Sequence, residues 1–345
     1  MAGHDETIGE AELTALTIGI FRRLGLSQAD ADYAASILIL GDLFGIPTHG
    51  VVRVPSYAER LRLGGMKAQP NITVQKVAPP LLRVDGDNGV GPLVGRRALD
   101  SAIEAAAEAG MALAVVRGSN HFGAIGPYCY LAAEAGFASI IGSNASMTIA
   151  PWGGSEARLG NNPIGFGMPH PQGDPFILDM AMSVAARGKI RSAMAEGKTI
   201  PEGWATDAAG RPTTDPAEAL KGFLLPIGGH KGYGLALTVD LFAGLLSGAA
   251  YLSHVRSWLD EPGEPQNLGH FFLLIDVKRL MPEVELGRRM TDFAGILHAT
   301  PPADPERPVK LPGEIEMTRF RRRRAEGIRI SAELRRQLED LASLD

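Results

Sequence analysis

The stretch from Met111 to Asn144 constrains the fold more than any other part of the chain. MALAVVRG (111–118) and ASIIGSN (138–144) are short apolar runs, and a helical segment (124–135) separates them. An apolar run without alternation reads as a strand buried on both faces. Strand, helix and strand in succession argue an α/β architecture. The pattern continues on either side. ITVQKV (72–77) alternates like a strand, LLRVDG (81–86) reads as a second strand ending in a turn, and 91–109 is alanine-rich and helical. PFILDMA (175–181) and HFFLLIDV (270–277) are further strands.

The two ends of the chain are helical instead. Leu13, Leu16, Ile20 and Leu24 follow helical spacing, Ser27 is placed to cap a second helix, and a third is expected over 52–63 before the Gly64-Gly65 pair. Ser331 begins a last helix. This flavour at both ends predicts that residues 1–70 and 315–345 pack as one discontinuous helical domain beside a mixed domain of 71–314. Residues 197–220 read as a long surface loop, and 231–250 as a helix. The apolar run 235–252 is about membrane-spanning length, but Asp240 and glycines interrupt it, so a buried core helix is expected.

With 345 residues the chain is long enough for roughly two to three domains. A net charge of -5 argues against nucleic acid or an anionic membrane as partner. Cys129 is the only cysteine, so a disulfide framework is out and a reducing cytoplasmic setting fits. The acidic start, MAGHDETIGEAEL, has no apolar region like that of a signal peptide.

The groups that could carry chemistry sit at turns. His49 lies in Pro-Thr-His-Gly, with Arg53 four residues on, so a helix starting at Thr48 would put both on one face. Imidazole suits proton transfer near neutral pH, and guanidinium holds a carboxylate through two parallel hydrogen bonds. His121 follows the 111–118 run, at the end of a buried strand, where ligands of α/β sheets tend to bind. Asn144 closes the next strand, and Asp179 closes another. A carboxylate at that point must be solvated or paired; it could orient a histidine, bind a ribose hydroxyl or cap the following segment. Lys231 stands in IGGHKGYG, where glycines lead into a helix and a lysine would add to the attraction for phosphate. No GxGxxG follows a strand, no P-loop is complete, and the 8 histidines show no zinc spacing. Arg321–Arg324 read as a solvated helix face.

Six segments resemble the type 2 malate/L-lactate dehydrogenase family, the NAD(P)-dependent group distinct from the Rossmann lactate and malate dehydrogenases. They are GIPTHGVVRVPSYAERLRLGG (45–65), GSNHFGAIG (118–126), APWGGSEARLGNNPIGFGMP (150–169), FILDMAMSVAARGKI (176–190), PIGGHKGYGLAL (226–237) and LPGEIE (311–316). The resemblance implies hydride transfer between NAD or NADP and a small 2-oxo or cyclic 2-imino acid, on a non-Rossmann mixed sheet, in a homodimer. It implies that His49 donates the proton, that His121 is a second active-site histidine, assigned the acid role in some members, and that Arg53, beside Thr48, grips the substrate carboxylate. Asn144, Leu178, Asp179, Met180, Ala181 and Ser183 would face the cofactor, as would Lys231, Gly232, Gly313 and Glu314. Thr48 and Met182 depart from the usual residues of the family; Met182 could alter a contact with the cofactor or the pocket.

Overall fold

The computed structural model describes residues 5–343. The chain opens with β1 (Asp5–Ile8), α1 (Glu10–Arg23) and α2 (Gln28–Leu43), and the Ser27 hydroxyl caps α2 by accepting from the Asp30 N–H. Two 3₁₀ turns, Pro47–His49 and Val51–Arg53, come before α3 (Val54–Leu63), so the third helix starts later than the sequence suggests. Pro55 sits in the first turn of α3, where its missing N–H leaves no helical hydrogen bond unmade, and this fits a helix that starts at Val54. His49 and Arg53 therefore share a pair of tight turns, not a helical face.

The mixed part follows as β2 (Thr73–Ala78), β3 (Leu81–Asp85), α4 (Gly91–Ala109), β4 (Met111–Ser119), α5 (Gly126–Glu134), β5 (Phe137–Ser143), β6 (Met147–Ile149), β7 (Leu159–Gly160), β8 (Ile164–Met168) and β9 (Phe176–Met180). Next come α6 (Arg187–Ala195), the short hairpin β10 (Ala205–Thr206) and β11 (Pro212–Thr213), α7 (Pro216–Lys221) and α8 (His230–Asp240). The expected surface loop thus contains a hairpin and a helix. The chain ends with β12 (Leu268–Asp276), α9 (Glu283–His298), α10 (Glu314–Glu326), β13 (Ile328–Ser331) and α11 (Ala332–Ser343).

One seven-stranded sheet, in the order β2-β3-β4-β12-β5-β8-β9, forms the scaffold. Only β3 and β4 run parallel; every other neighbouring pair is antiparallel. The β12 strand, more than a hundred residues later in sequence, inserts between β4 and β5. This order is unlike the parallel doubly wound sheet of a Rossmann domain. β1 pairs with β13, which ties the two ends of the chain together.

The main apolar core runs without a break from the terminal helices into one face of the sheet, and a second cluster gathers Ile149, Leu159, Met182, Ile190 and Leu224. β4 is not buried on both faces as its run of apolar residues suggests: Ala112, Ala114 and Val116 are buried, while Met111 is 45% exposed. The 231–250 helix also differs. It is α-helical to Asp240, continues as a π-helical turn over Leu241–Leu246, and leaves Leu235, Leu241, Leu245 and Leu246 about half exposed. It is not a buried core helix. Among the described residues no helix is long and apolar enough to cross a membrane. The arginine run on α10 docks more than it solvates: Arg321 pairs with Asp174, Arg324 with Glu10, and Arg323 donates to the Asp42 carbonyl.

Candidate active site

The Pro-Thr-His-Gly turn is held from below by Asp42, on the last turn of α2. Its carboxylate accepts the Val51 N–H at 2.8 Å and packs where a Cβ on Gly50 would stand, so only glycine fits there. Burial pushes the Asp42 carboxyl up to about 7, against the pull of the Val51 hydrogen bond and Arg323. Above this support, the Arg53 Nε donates to the Thr48 carbonyl at 2.7 Å, and the Thr48 hydroxyl meets His49 Nδ1 at 2.9 Å. The Thr48 departure from the family pattern thus keeps its polar role.

The second wall comes from the end of β4. His270, fully buried on β12, reaches Ser119 Oγ with Nε2 at 2.7 Å and Ser143 Oγ with Nδ1 at 2.8 Å. Its ring stacks on Phe122 at 4.0 Å. The inserted strand therefore ties together the ends of β4 and β5 and fixes the loop that carries His121. Burial lowers the His270 imidazole to about 3, so it stays neutral.

His49 and His121 come together as a near-parallel pair, with ring centroids 5.4 Å apart. Burial and the Arg53 charge lower His49 to about 4, and burial holds His121 well below the ordinary histidine value. Trp258 packs on His121 at 5.3 Å and is gripped by Arg60, whose guanidinium lies 4.6 Å over its ring and donates to the Trp258, Glu261 and Glu264 carbonyls.

Asp179 ends β9 and caps α5, accepting from the Gly126 N–H at 2.8 Å. Burial pushes its carboxyl up to about 6. It orients no histidine: its partner is the helix N-terminus.

These elements enclose one cavity of about 990 Å³, near the upper end of the roughly 300–1,000 Å³ range of ligand pockets. His49, Arg53, His121, Asn144, Leu178, Asp179, Ala181 and Gly313 all line it. Thr48, Met180, Ser183, Lys231, Gly232 and Glu314 do not. Glu314 pairs with His298, and Met182 lies in the second apolar cluster, away from the cavity wall. The Asn144 amide is spent on the fold, donating to Asp240 and Ala250 and accepting the Gly269 N–H. Sequence reasoning missed Tyr57, Trp258, Arg191 and Lys310. Helical spacing from Arg53 could have found Tyr57; Trp258 stands 198 residues from its Arg60 anchor, and no local signal gives it away.

The cavity can position a carboxylate against Arg53 and exchange a proton at an imidazole beside it. Residues 8–339 match the family model described as malate/L-lactate dehydrogenase. The chain is 38% identical over 294 residues to a malate dehydrogenase of Pyrococcus abyssi, covering 83% of this chain and 80% of that protein. It is 36% identical over 265 residues to a (2R)-3-sulfolactate dehydrogenase (NADP(+)) of Chromohalobacter salexigens, covering 77% and 79%. The solved sulfolactate dehydrogenase of Methanocaldococcus jannaschii superposes with a TM-score of 0.91 at 34% identity, over 97% of this chain and 96% of that one. The chain belongs to the malate/L-lactate dehydrogenase family and is a 2-hydroxy-acid oxidoreductase.

Proposed function

We propose that the protein transfers a hydride reversibly between NAD or NADP and a small 2-hydroxy/2-oxo acid of the malate, lactate or sulfolactate type, as a cytoplasmic homodimer. The observation that carries this reading is the convergence of Arg53 with the His49–His121 pair on one cavity wall. Arg53, with its Nε already pinned to Thr48, turns the rest of its fork to the substrate carboxylate. The imidazole pair exchanges the proton of the 2-hydroxyl, which leaves as the oxygen becomes a carbonyl. Trp258 packs against His121 at the cavity wall.

The residues present suit a dinucleotide. Leu178, Ala181 and Gly313 supply an apolar, close-fitting wall, and Lys310 supplies positive charge for phosphates. The bound nicotinamide would accept or return the hydride. Arg187 and Arg191, on the cavity wall with Arg53, favour a substrate with a second anionic group. Burial depresses Arg53 and Arg187, and the nearby Arg191 charge adds to it; an added carboxylate or sulfonate would relieve that repulsion. Malate and sulfolactate types are therefore favoured over lactate.

The test follows reduced-nicotinamide absorbance with oxaloacetate, sulfopyruvate, pyruvate and piperideine-2-carboxylate, each with NADH and NADPH. A dianionic 2-oxo acid should be the best substrate, and Arg53→Ala should lower kcat/KM for it by about a hundredfold or more. His49→Ala should slow turnover strongly. Preference for the cyclic imine, or full turnover by either variant, would overturn the reading.

A further inference from the structure

Tyr57 lies on α3, one turn beyond Arg53, and its side chain is fully buried. Its hydroxyl meets a single residue twice: His121 Nδ1 at 2.8 Å and the His121 carbonyl oxygen at 3.0 Å. A phenol has one proton to donate, and a carbonyl oxygen can only accept. Both contacts are hydrogen bonds in one arrangement alone. The phenol donates to the carbonyl, and the Nδ1–H donates to the phenol oxygen. In the reverse arrangement, lone pairs of the phenol and the carbonyl would face each other in a buried place, which costs about 1–3 kcal/mol.

We propose that Tyr57 is the positioning residue that locks His121 in the tautomer protonated on Nδ1, leaving Nε2 as a hydrogen-bond acceptor in the cavity. Among the described residues nothing hydrogen-bonds to His121 Nε2. The neighbouring histidine is not locked in this way. The partner of His49 Nδ1 is the Thr48 hydroxyl, which is exposed and can donate or accept. Burial keeps His121 neutral, so its tautomer matters at working pH.

The catalytic consequence rests on the reading proposed above. During oxidation the C2 hydrogen leaves as a hydride to the oxidised nicotinamide, and the hydroxyl proton passes to His121 Nε2. The C–O single bond becomes a carbonyl and His121 becomes an imidazolium, which then loses its proton to solvent. Reduction runs the same steps backwards. Of the two histidines, His121 is thus the one prepared to take the proton, and His49 is left to donate a hydrogen bond.

The first test needs no substrate. Nitrogen-15 spectra of the histidine rings should show the His121 proton on Nδ1 in the wild type. Tyr57→Phe, which keeps the ring and removes the hydroxyl, should release His121 toward the Nε2-protonated form. The second test is kinetic. Tyr57→Phe should lower kcat about tenfold or more with KM for the cofactor unchanged, and the melting temperature should fall by a few degrees because the His121 carbonyl loses its buried donor. On a His121→Ala background, Tyr57→Phe should cost nothing further, because its effect acts through His121. A wild-type His121 protonated on Nε2, or a Tyr57→Phe loss that adds fully to that of His121→Ala, overturns the proposal. If the spectra show the lock but no 2-oxo acid turns over, the lock stands and the substrate reading fails.

Discussion

At the residue scale, the chemistry was legible where a polar residue sits in a glycine-punctuated turn. His49, Arg53 and His121 were singled out that way, although spacing alone also fits a surface or structural side chain, and the structure brings the three to one cavity wall. Their supports were not legible. Asp42 reads as an ordinary helix-end carboxylate, and only the fold shows it buried under Gly50 at 3% exposure. That burial makes a prediction. With its carboxyl pushed up to about 7 from 3.8, Asp42 holds a proton in the folded chain that it has lost in the unfolded chain. The folded state therefore binds more protons between those pH values, and Asp42 costs stability as pH rises, by up to about 1.4 kcal/mol per pH unit. His49 and His270, lowered to about 4 and about 3, act with the opposite sign. Below roughly pH 6.5 the unfolded histidines take up protons that the folded ones refuse, so stability is lost as pH falls. Asp42→Asn keeps an oxygen for the Val51 N–H but cannot titrate. Its melting temperature should therefore climb more steeply than the wild type's between pH 4.5 and 7, and should not be lower at pH 8. Parallel curves for the two proteins would show that Asp42 is ionised throughout.

At the scale of elements, strands and helices announced themselves wherever packing is local. β3, α4, β5, β9 and β12 lie within a residue or two of their sequence signals, because alternation and apolar runs record which face is buried; β2 also lies where its alternation puts it, although it has no buried face. What failed was what depends on remote partners. The apolar run of β4 says nothing of its half-open second face, which the π-helical turn covers only in part. The start of α3 was misjudged because Pro55 at its first turn admits more than one way in. The segment over 258–264 has no regular structure and is anchored to α3 by the hydrogen bonds of Arg60 and by the Tyr57 ring, which meets Trp258 edge-on at 5.3 Å. Arg60→Met removes three hydrogen bonds to partly buried carbonyls and the stacking on Trp258, and keeps most of the volume. Unfolding free energy, measured by urea titration, should fall by about 2–4 kcal/mol. KM for the acid should also rise, because Trp258 is no longer held against His121. Unchanged KM in a destabilised variant would mean that the wall keeps its place without the arginine.

For the whole molecule, the sheet order could not be read from the sequence, since no local pattern tells β12 to insert between β4 and β5. The surface carries a further signal that composition hides. α9 is 16 residues long, yet Gly287 is its only buried residue, while Val284, Phe293 and Ile296 are 76%, 54% and 64% exposed. The end of α8 and the π-helical turn add Leu235, Leu241, Leu245 and Leu246. A helix gains most of its stability in water from packing an apolar face, and large exposed apolar patches mark interfaces. The occupant that fits the proposed homodimer is a second copy of the chain. Sedimentation at micromolar concentration should then give twice the 36.6 kDa chain mass. Ile296→Glu and Leu245→Glu should each shift the protein toward monomer, because either puts a charge into a desolvated interface. Ile296 supports little of its own subunit, so that variant should keep its circular dichroism while it dissociates. A wild type that sediments as a monomer at these concentrations would refute the dimer and leave the exposure of α9 without a cause.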